Sequence, residues 1–472
     1  MIKKGRYVTA GLVLTFAVMQ SQAVESRFTS AGNWTNAANW NNGVPGATDL
    51  ARLQNAVTAD IDSVEVVGGL NFRGDTTLGA SIINVNNGGS LTSDGTQFSG
   101  NNRVGSDGDA TLNINNGGSA TFSGTGIFEV GESGDGDAGY VNIYSGGSLT
   151  VSQTTQLGAD GSTFGYVNIN GGTATFNNDL QVGNAASSHG VVTLTSGTLN
   201  CVGNLRITDN AAATGELKVN GGTLNATTSS IQVRDGNGSI TQSAGAINAN
   251  DMYVGHLQGS VGTMTMSGGT NAVSGVLSLG NQDNGSGANG ASGVLVMSDG
   301  YMTVGTLEVG NEASTTGTLT LSGKDTYLKA STLSLGDAGA SVNSSIVVED
   351  GEFQIHEILS DGDSASESLF LEGGVLKLRH VDGATGYDDA VALIAADVLT
   401  WSYSGLDSLA ATLDVADADA SWTNGDGVTL YADTDGTNYS YMWAETIPEP
   451  ATFGLIALFG GGLLFIRRRF RI

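Results

Sequence analysis

Apolar and polar residues alternate in short runs along most of the chain. Val167, Ile169, Ala174 and Phe176 take every second place among Asn and Thr, and Leu180 and Val182 resume the alternation after a short break. A period of two marks half-buried β-strands. This stretch therefore reads as three short strands, each with one face turned inward. Asn170-Gly171-Gly172 between the first two supplies residues that tolerate positive φ in a tight corner.

The unit recurs. A turn glycine returns at Gly89, Gly118, Gly147, Gly172, Gly197, Gly222, Gly245, Gly269, Gly300, Gly323, Gly351 and Gly374, at intervals of 23 to 31 residues. A second beat runs through Val104-Gly105, Val130-Gly131, Leu157-Gly158 and Val182-Gly183 and returns as far as Leu335-Gly336. One unit cannot bury its apolar side alone, so units must stack, each strand pairing in parallel with its equivalent one turn on. The expected fold is all-β, a right-handed parallel β-helix; twelve turns at ~4.8 Å would make a rod of roughly 55 to 60 Å. A propeller blade needs about forty or more residues, and an antiparallel sandwich needs hairpins in place of repeating corners. Length variation falls mainly in 132–139, 185–190 and 281–292, which read as loops projecting from the rod.

The flanks depart from this pattern. Residues 24–79, with Trp34, Trp40 and Pro45, read as an N-terminal cap and first rungs, and 80–375 as the repeats. Residues 376–445 read as a C-terminal cap. Within it, 391–401 suits a short helix or strand, and 428–431 with 439–443 a hairpin.

Both ends carry addresses. Residues 1–23 have Lys3, Lys4 and Arg6, then an apolar stretch of about a dozen residues, then Ser21-Gln22-Ala23, the form of a secretory signal cleaved after Ala23. At the other end, 446–472, Pro448-Glu449-Pro450 precedes an uncharged apolar run at 451–466 and the cluster Arg467-Arg468-Arg469. That run suits a membrane-crossing helix with the arginines left on the cytoplasmic side, so the body is expected outside.

This tail resembles the PEP-CTERM sorting signal of Gram-negative bacteria. The resemblance implies recognition of Pro448, Glu449 and Pro450 by an exosortase-type membrane protease, with Arg467, Arg468 and Arg469 as the stop-transfer cluster. These would be substrate positions of a protein sorted to the cell surface or extracellular matrix. An ordinary, unprocessed anchor is the alternative. The repeats, with Gly88-Gly89-Ser90-Leu91-Thr92 and Gly146-Gly147-Ser148-Leu149-Thr150, resemble those of autotransporter passengers and PEP-CTERM proteins over 80–375, which implies a secreted β-helical stalk.

Charge narrows the partners. The chain has a net charge of −28, and the stretch from Glu25 to Glu449 holds eleven basic against 46 acidic residues. Such a surface repels nucleic acid and anionic headgroups. Candidate chemistry is sparse, and no catalytic residue, resident metal or cofactor is expected. Cys201 falls four residues after Gly197, the phase of Phe122 and Phe176, so it reads as a small core residue. His189, His256, His356 and His380 are scattered without metal-ligand spacing and read as surface or loop residues. Asp107, Asp109, Asp135 and Asp137 are the only weak candidates for calcium, and they lack the nonapeptide spacing. Arg206 and Arg234 are expected on different faces, since one precedes Ile207 and the other follows Val233. The reading is a non-enzymatic envelope or matrix scaffold whose loops contact polysaccharide or other proteins; a polysaccharide-degrading β-helix enzyme and a glycan-binding adhesin are the alternatives.

Overall fold

A computed structural model describes residues 23–446, apart from 75–77, 98–99, 135, 258, 282–289, 311–313, 337–342, 361–366, 380–393, 395–397, 403–419, 425–427 and 435–438. Parallel strands coil into a β-solenoid of about 13 turns. Each turn has three sides. Face A runs through Ser81–Val85, Ala110–Ile114 and Ala138–Tyr144; face B through Ser90–Ser93, Ser119–Phe122 and Ser148–Val151; face C through Asn102–Ser106, Ile127–Glu132 and Thr154–Leu157. In Phe164–Phe176 and His189–Cys201 the corner between A and B is itself extended, and in Val261–Leu279 and Ser292–Val309 all three sides form one bent strand.

Register explains the alternation. On face A, Ile83, Leu112, Val141, Val167, Val192, Leu217, Ile240, Met264, Leu295 and Leu319 stand directly over one another. All are shut off from solvent. Fully burying such a side chain contributes roughly 1.5–3 kcal/mol. Face B carries an equivalent column, Phe122, Val151, Phe176 and Cys201.

The corner between C and A explains the Val-Gly beat. Gly131, Gly158 and Gly183 have φ of +73°, +68° and +76°, and each turns against a glycine that opens a face A strand. Gly139, Gly165, Gly190, Gly215, Gly238, Gly262, Gly293 and Gly317 form that second column, one above the next. A Cβ at Gly165 would stand 2.4 Å from the Val130 carbonyl oxygen and 2.5 Å from the Gly158 nitrogen. Backbone touches backbone there, so no larger residue fits. The connections at 184–188 and 209–213 lie at this same corner, and the chain also passes from face C to face A at 132–138 and 281–291.

The interior is not wholly apolar. Near the N-terminal end, the buried Asn102 side chain accepts from the Leu70 N–H (3.1 Å) and donates to Gln153 Oε1 (2.8 Å), while Gln153 donates to the Gly100 carbonyl (2.6 Å). Further along, Gln242 and Asn271 enter the inner columns among Val219, Met266, Ile247 and Met302.

At the start, Phe28, Trp34 and Trp40 close the end of the core. The Trp34 and Trp40 rings meet edge to face at 4.7 Å, and the Trp40 indole donates to the Trp34 carbonyl (2.7 Å). At the other end, Val375–Arg379 changes partner, pairing antiparallel with Tyr439–Thr446, which pairs antiparallel with Val428–Thr434. Ala420–Thr423 adds a third antiparallel strand that the sequence reading did not anticipate. Of 391–401, Leu399–Trp401 is a strand over Leu369–Leu371 on face A. Among the described residues no helix is long and apolar enough to cross a membrane; the tail at 447–472 lies outside them.

Candidate interaction surfaces

Face C gathers the charge. Its central outward column reads Arg27, Arg52, Asn71, Arg103, Glu129, Gln156, Gln181, Arg206 and Gln232. The residue before each Val-Gly or Leu-Gly pair occupies this column, a signal present in the sequence that its first reading did not use. Each arginine of this column is paired with a carboxylate of the rod, Arg27 and Arg52 sharing one. Arg52 pairs with Glu25 (3.1 Å), Arg103 with Glu129 (2.5 Å) and Glu132 (3.1 Å), and Arg206 with Asp179 (2.8 Å). Arg27 pairs with Glu25, Arg73 with Asp107, and Arg234 with Asp209.

Arg206 and Arg234 are two register positions apart, because Arg206 lies opposite Gln232. Their side chains nevertheless converge: Asp209, whose side chain is 8% exposed, receives Arg206 (3.5 Å), Arg234 and the Gln181 amide (2.6 Å). The expectation of different faces is thus corrected: both guanidiniums meet at one carboxylate. The Glu129 carboxyl on this face is held above its usual range, chiefly by burial and against the pull of Arg103.

Face A carries an aromatic strip. Tyr140 and Tyr166 stack at 4.8 Å with ring planes 6° apart, and His189 meets Phe164 and Tyr166 edge-on. The His189 ring shares a hydrogen bond with the Thr214 hydroxyl (2.7 Å). The strip runs into a shallow cleft of about 240 Å³ lined by Thr214, Glu216, Asn237, Ser239, Val261 and Thr263. Glu216 there is paired with Lys218.

Face B is the plainest. Its two outward columns hold Ser90, Ser119, Ser148, Thr173, Thr198 and Thr223 beside Thr92, Thr121, Thr150, Thr175, Asn200 and Asn225, in unbroken register. These twelve positions carry hydroxyls and amides and no charge. Beyond them Tyr301 stacks on Tyr327 at 4.7 Å, and the Tyr327 hydroxyl donates to Gln354 (2.5 Å). Gln354 donates in turn to the Tyr439 hydroxyl (3.0 Å), and Lys377 lies over the rings of Tyr439 (4.6 Å) and Tyr441 (4.9 Å). These contacts fasten the antiparallel strands to the solenoid. Burial, with Glu352 nearby, pushes the Tyr327 hydroxyl up to about 12.

Of the histidines expected at the surface or in loops, His189 and His356 are part-exposed and His256 is buried. His189 opens a strand, His356 lies inside Glu352–Ser360, and His256 is buried with its ring on Tyr253 at 4.5 Å. Each lies against an aromatic ring: His189 by Phe164 and Tyr166, His256 on Tyr253, and His356 by Tyr439. His356 is held below its usual range by burial and by Lys329 and Arg379. Cys201 is 3% exposed, and burial pushes its thiol up to about 12.

The acidic turns serve as internal acceptors. Asp107 takes Arg73 and the Ser133 hydroxyl (3.1 Å), and Asp109 accepts from the Ala138 N–H (2.9 Å). Asp137 is buried in the neighbouring turn. Among the described residues no group of three or more His, Cys, Asp and Glu is placed to hold a metal ion. Asp135, His380, Pro448, Glu449, Pro450, Arg467, Arg468 and Arg469 lie outside the described residues, and Ala23 is exposed at their start.

The class these faces define is a parallel β-solenoid with a self-neutralised charged side and two largely uncharged sides. No family model matches the chain, and neither a curated protein nor a solved structure does.

Proposed function

We propose that the chain is an exported, non-enzymatic scaffold of the cell envelope or extracellular matrix, a stiff right-handed β-solenoid displayed outside the cell. The observation that carries this reading is face C: its arginines are tied to carboxylates of the same rod, which braces successive turns and leaves those cations engaged rather than presented to an acidic substrate. The signal at 1–23 and the Pro448-Glu449-Pro450 tail support export and sorting by an exosortase-type protease. Extracellular polysaccharide is the partner class this placement suggests.

Intact mass of the protein recovered from the cell surface and from the medium tests the sorting. Loss of 1–23 and of the tail is expected; a chain that retains both would refute it. A polysaccharide-cleaving reading has one observation in its favour, the raised Glu129 carboxyl beside Glu132. Incubation with bacterial and algal polysaccharides separates the two, since the scaffold yields no new reducing ends or unsaturated products.

A further inference from the structure

We propose that face B is an ice-binding surface, on which the hydroxyl and amide array from Ser90 to Asn225 seats against the oxygen lattice of solid water. The array is regular in two directions. Successive turns place equivalent hydroxyls roughly 4.8 Å apart along the rod, and the two columns, separated by two residues of one strand, lie roughly 6.6 Å apart across it. Both repeats are comparable to the spacing of oxygen rows in hexagonal ice. Six turns hold this register without a shift between the two columns and their partners.

The absence of charge is the second observation. The chain has 46 acidic residues, yet none enters these columns. A charged group keeps its own hydration shell and is costly to strip, so a surface that must replace liquid water by a lattice has to exclude it. Threonine supplies a hydroxyl that bonds to the lattice and a methyl that fits between its rows.

The side chains are also set in advance. A β-branched residue on a strand has few χ1 choices, and the amides are locked to one another: Asn225 donates to Asn200 (3.0 Å) and Asn248 to Asn225 (3.0 Å). Less freedom is lost on docking when the groups are already ordered.

Two features choose ice over a crystalline polysaccharide. Sugar faces are gripped by aromatic rings, and the array contains none, since the rod's tyrosine stacks lie on face A and beyond the array at Tyr301 and Tyr327. The connections at 184–188 and 209–213 leave at the corner between C and A, opposite face B, so they leave the array in those turns open to a planar solid.

The test is thermal hysteresis and ice-recrystallisation inhibition by the full-length protein, with ice grown from buffer as the probe. A freezing-point gap with faceted crystals is expected. The double variant Thr121→Lys/Thr150→Lys should lose it, whereas Thr241→Lys/Thr265→Lys on face A should keep it, with circular dichroism reporting the fold of both. Should the lysine pair unfold, Thr121→Val/Thr150→Val removes the hydroxyls while keeping shape, and must weaken the effect. A wild-type protein indistinguishable from serum albumin overturns the proposal. Adsorption to microcrystalline cellulose without activity on ice does the same and assigns the face to a polysaccharide.

Discussion

Gly183 and Gly190 meet back to back across the corner between faces C and A: a Cβ on Gly190 would stand 2.3 Å from the Gly183 nitrogen. Gly190→Ala should therefore destabilise the protein by roughly 1–3 kcal/mol, the usual cost of forcing volume into a filled site. Gly161→Ala is the control, because its Cβ would meet nothing closer than the Ala186 oxygen at 3.5 Å. Urea midpoints compare the two, and equal midpoints would show that the corner can open.

Gln242 is a polar residue in an apolar column. Its amide nitrogen reaches the carbonyls of Gly245 and Thr270 at 3.3 Å each, and its buried Oε1 has no partner. Gln242→Met keeps the shape and removes the orphan, so a gain of about 1 kcal/mol in unfolding free energy is expected. A fall in the urea midpoint would instead mean that Oε1 binds an internal water.

The raised Glu129 carboxyl gives a pH signature. A carboxyl that holds its proton more tightly when folded contributes stability in full below its unfolded value of 4.5, and loses it as pH rises through the folded value. Glu129→Gln stays neutral throughout, while Arg103 retains Glu132 at 3.1 Å. The variant should gain on the wild type from acid toward neutral pH in urea midpoints taken across that range. Parallel profiles would contradict the assignment.

Cys201 should be chemically silent. The thiolate is the reactive form, and a thiol 3% exposed and pushed up to about 12 supplies almost none at mildly alkaline pH. Ellman's reagent should find no thiol in the native protein and one per chain after unfolding. Prompt labelling of folded protein would place Cys201 outside the core.

Much of the fold was legible because alternation and turn glycines are local. Val167-Asn168-Ile169 declares a strand whatever surrounds it, and the phase of Cys201 after Gly197 was enough to bury it. The same phase applied to Ile240-Thr241-Gln242 would have put Gln242 inside, and the residue before each Val-Gly pair would have revealed the charged column. What could not be read was contact between turns. Loops of unequal length hide which outward residues are neighbours, so the stacking of Tyr140 on Tyr166 and the meeting of Arg206 and Arg234 at Asp209 emerge only once strands are paired. Ala420–Thr423 was missed for the same reason, since its partner is set by the end of the coil.

The connections at 184–188 and 209–213 emerge along one edge, where the two glycine columns abut. That edge works as a seam, because chain inserted there joins the end of one side to the start of the next and enters no column. Such a layout tolerates growth: an extra domain grafted between Asn281 and Ala291 would hang from the margin while the turns above and below stay seated.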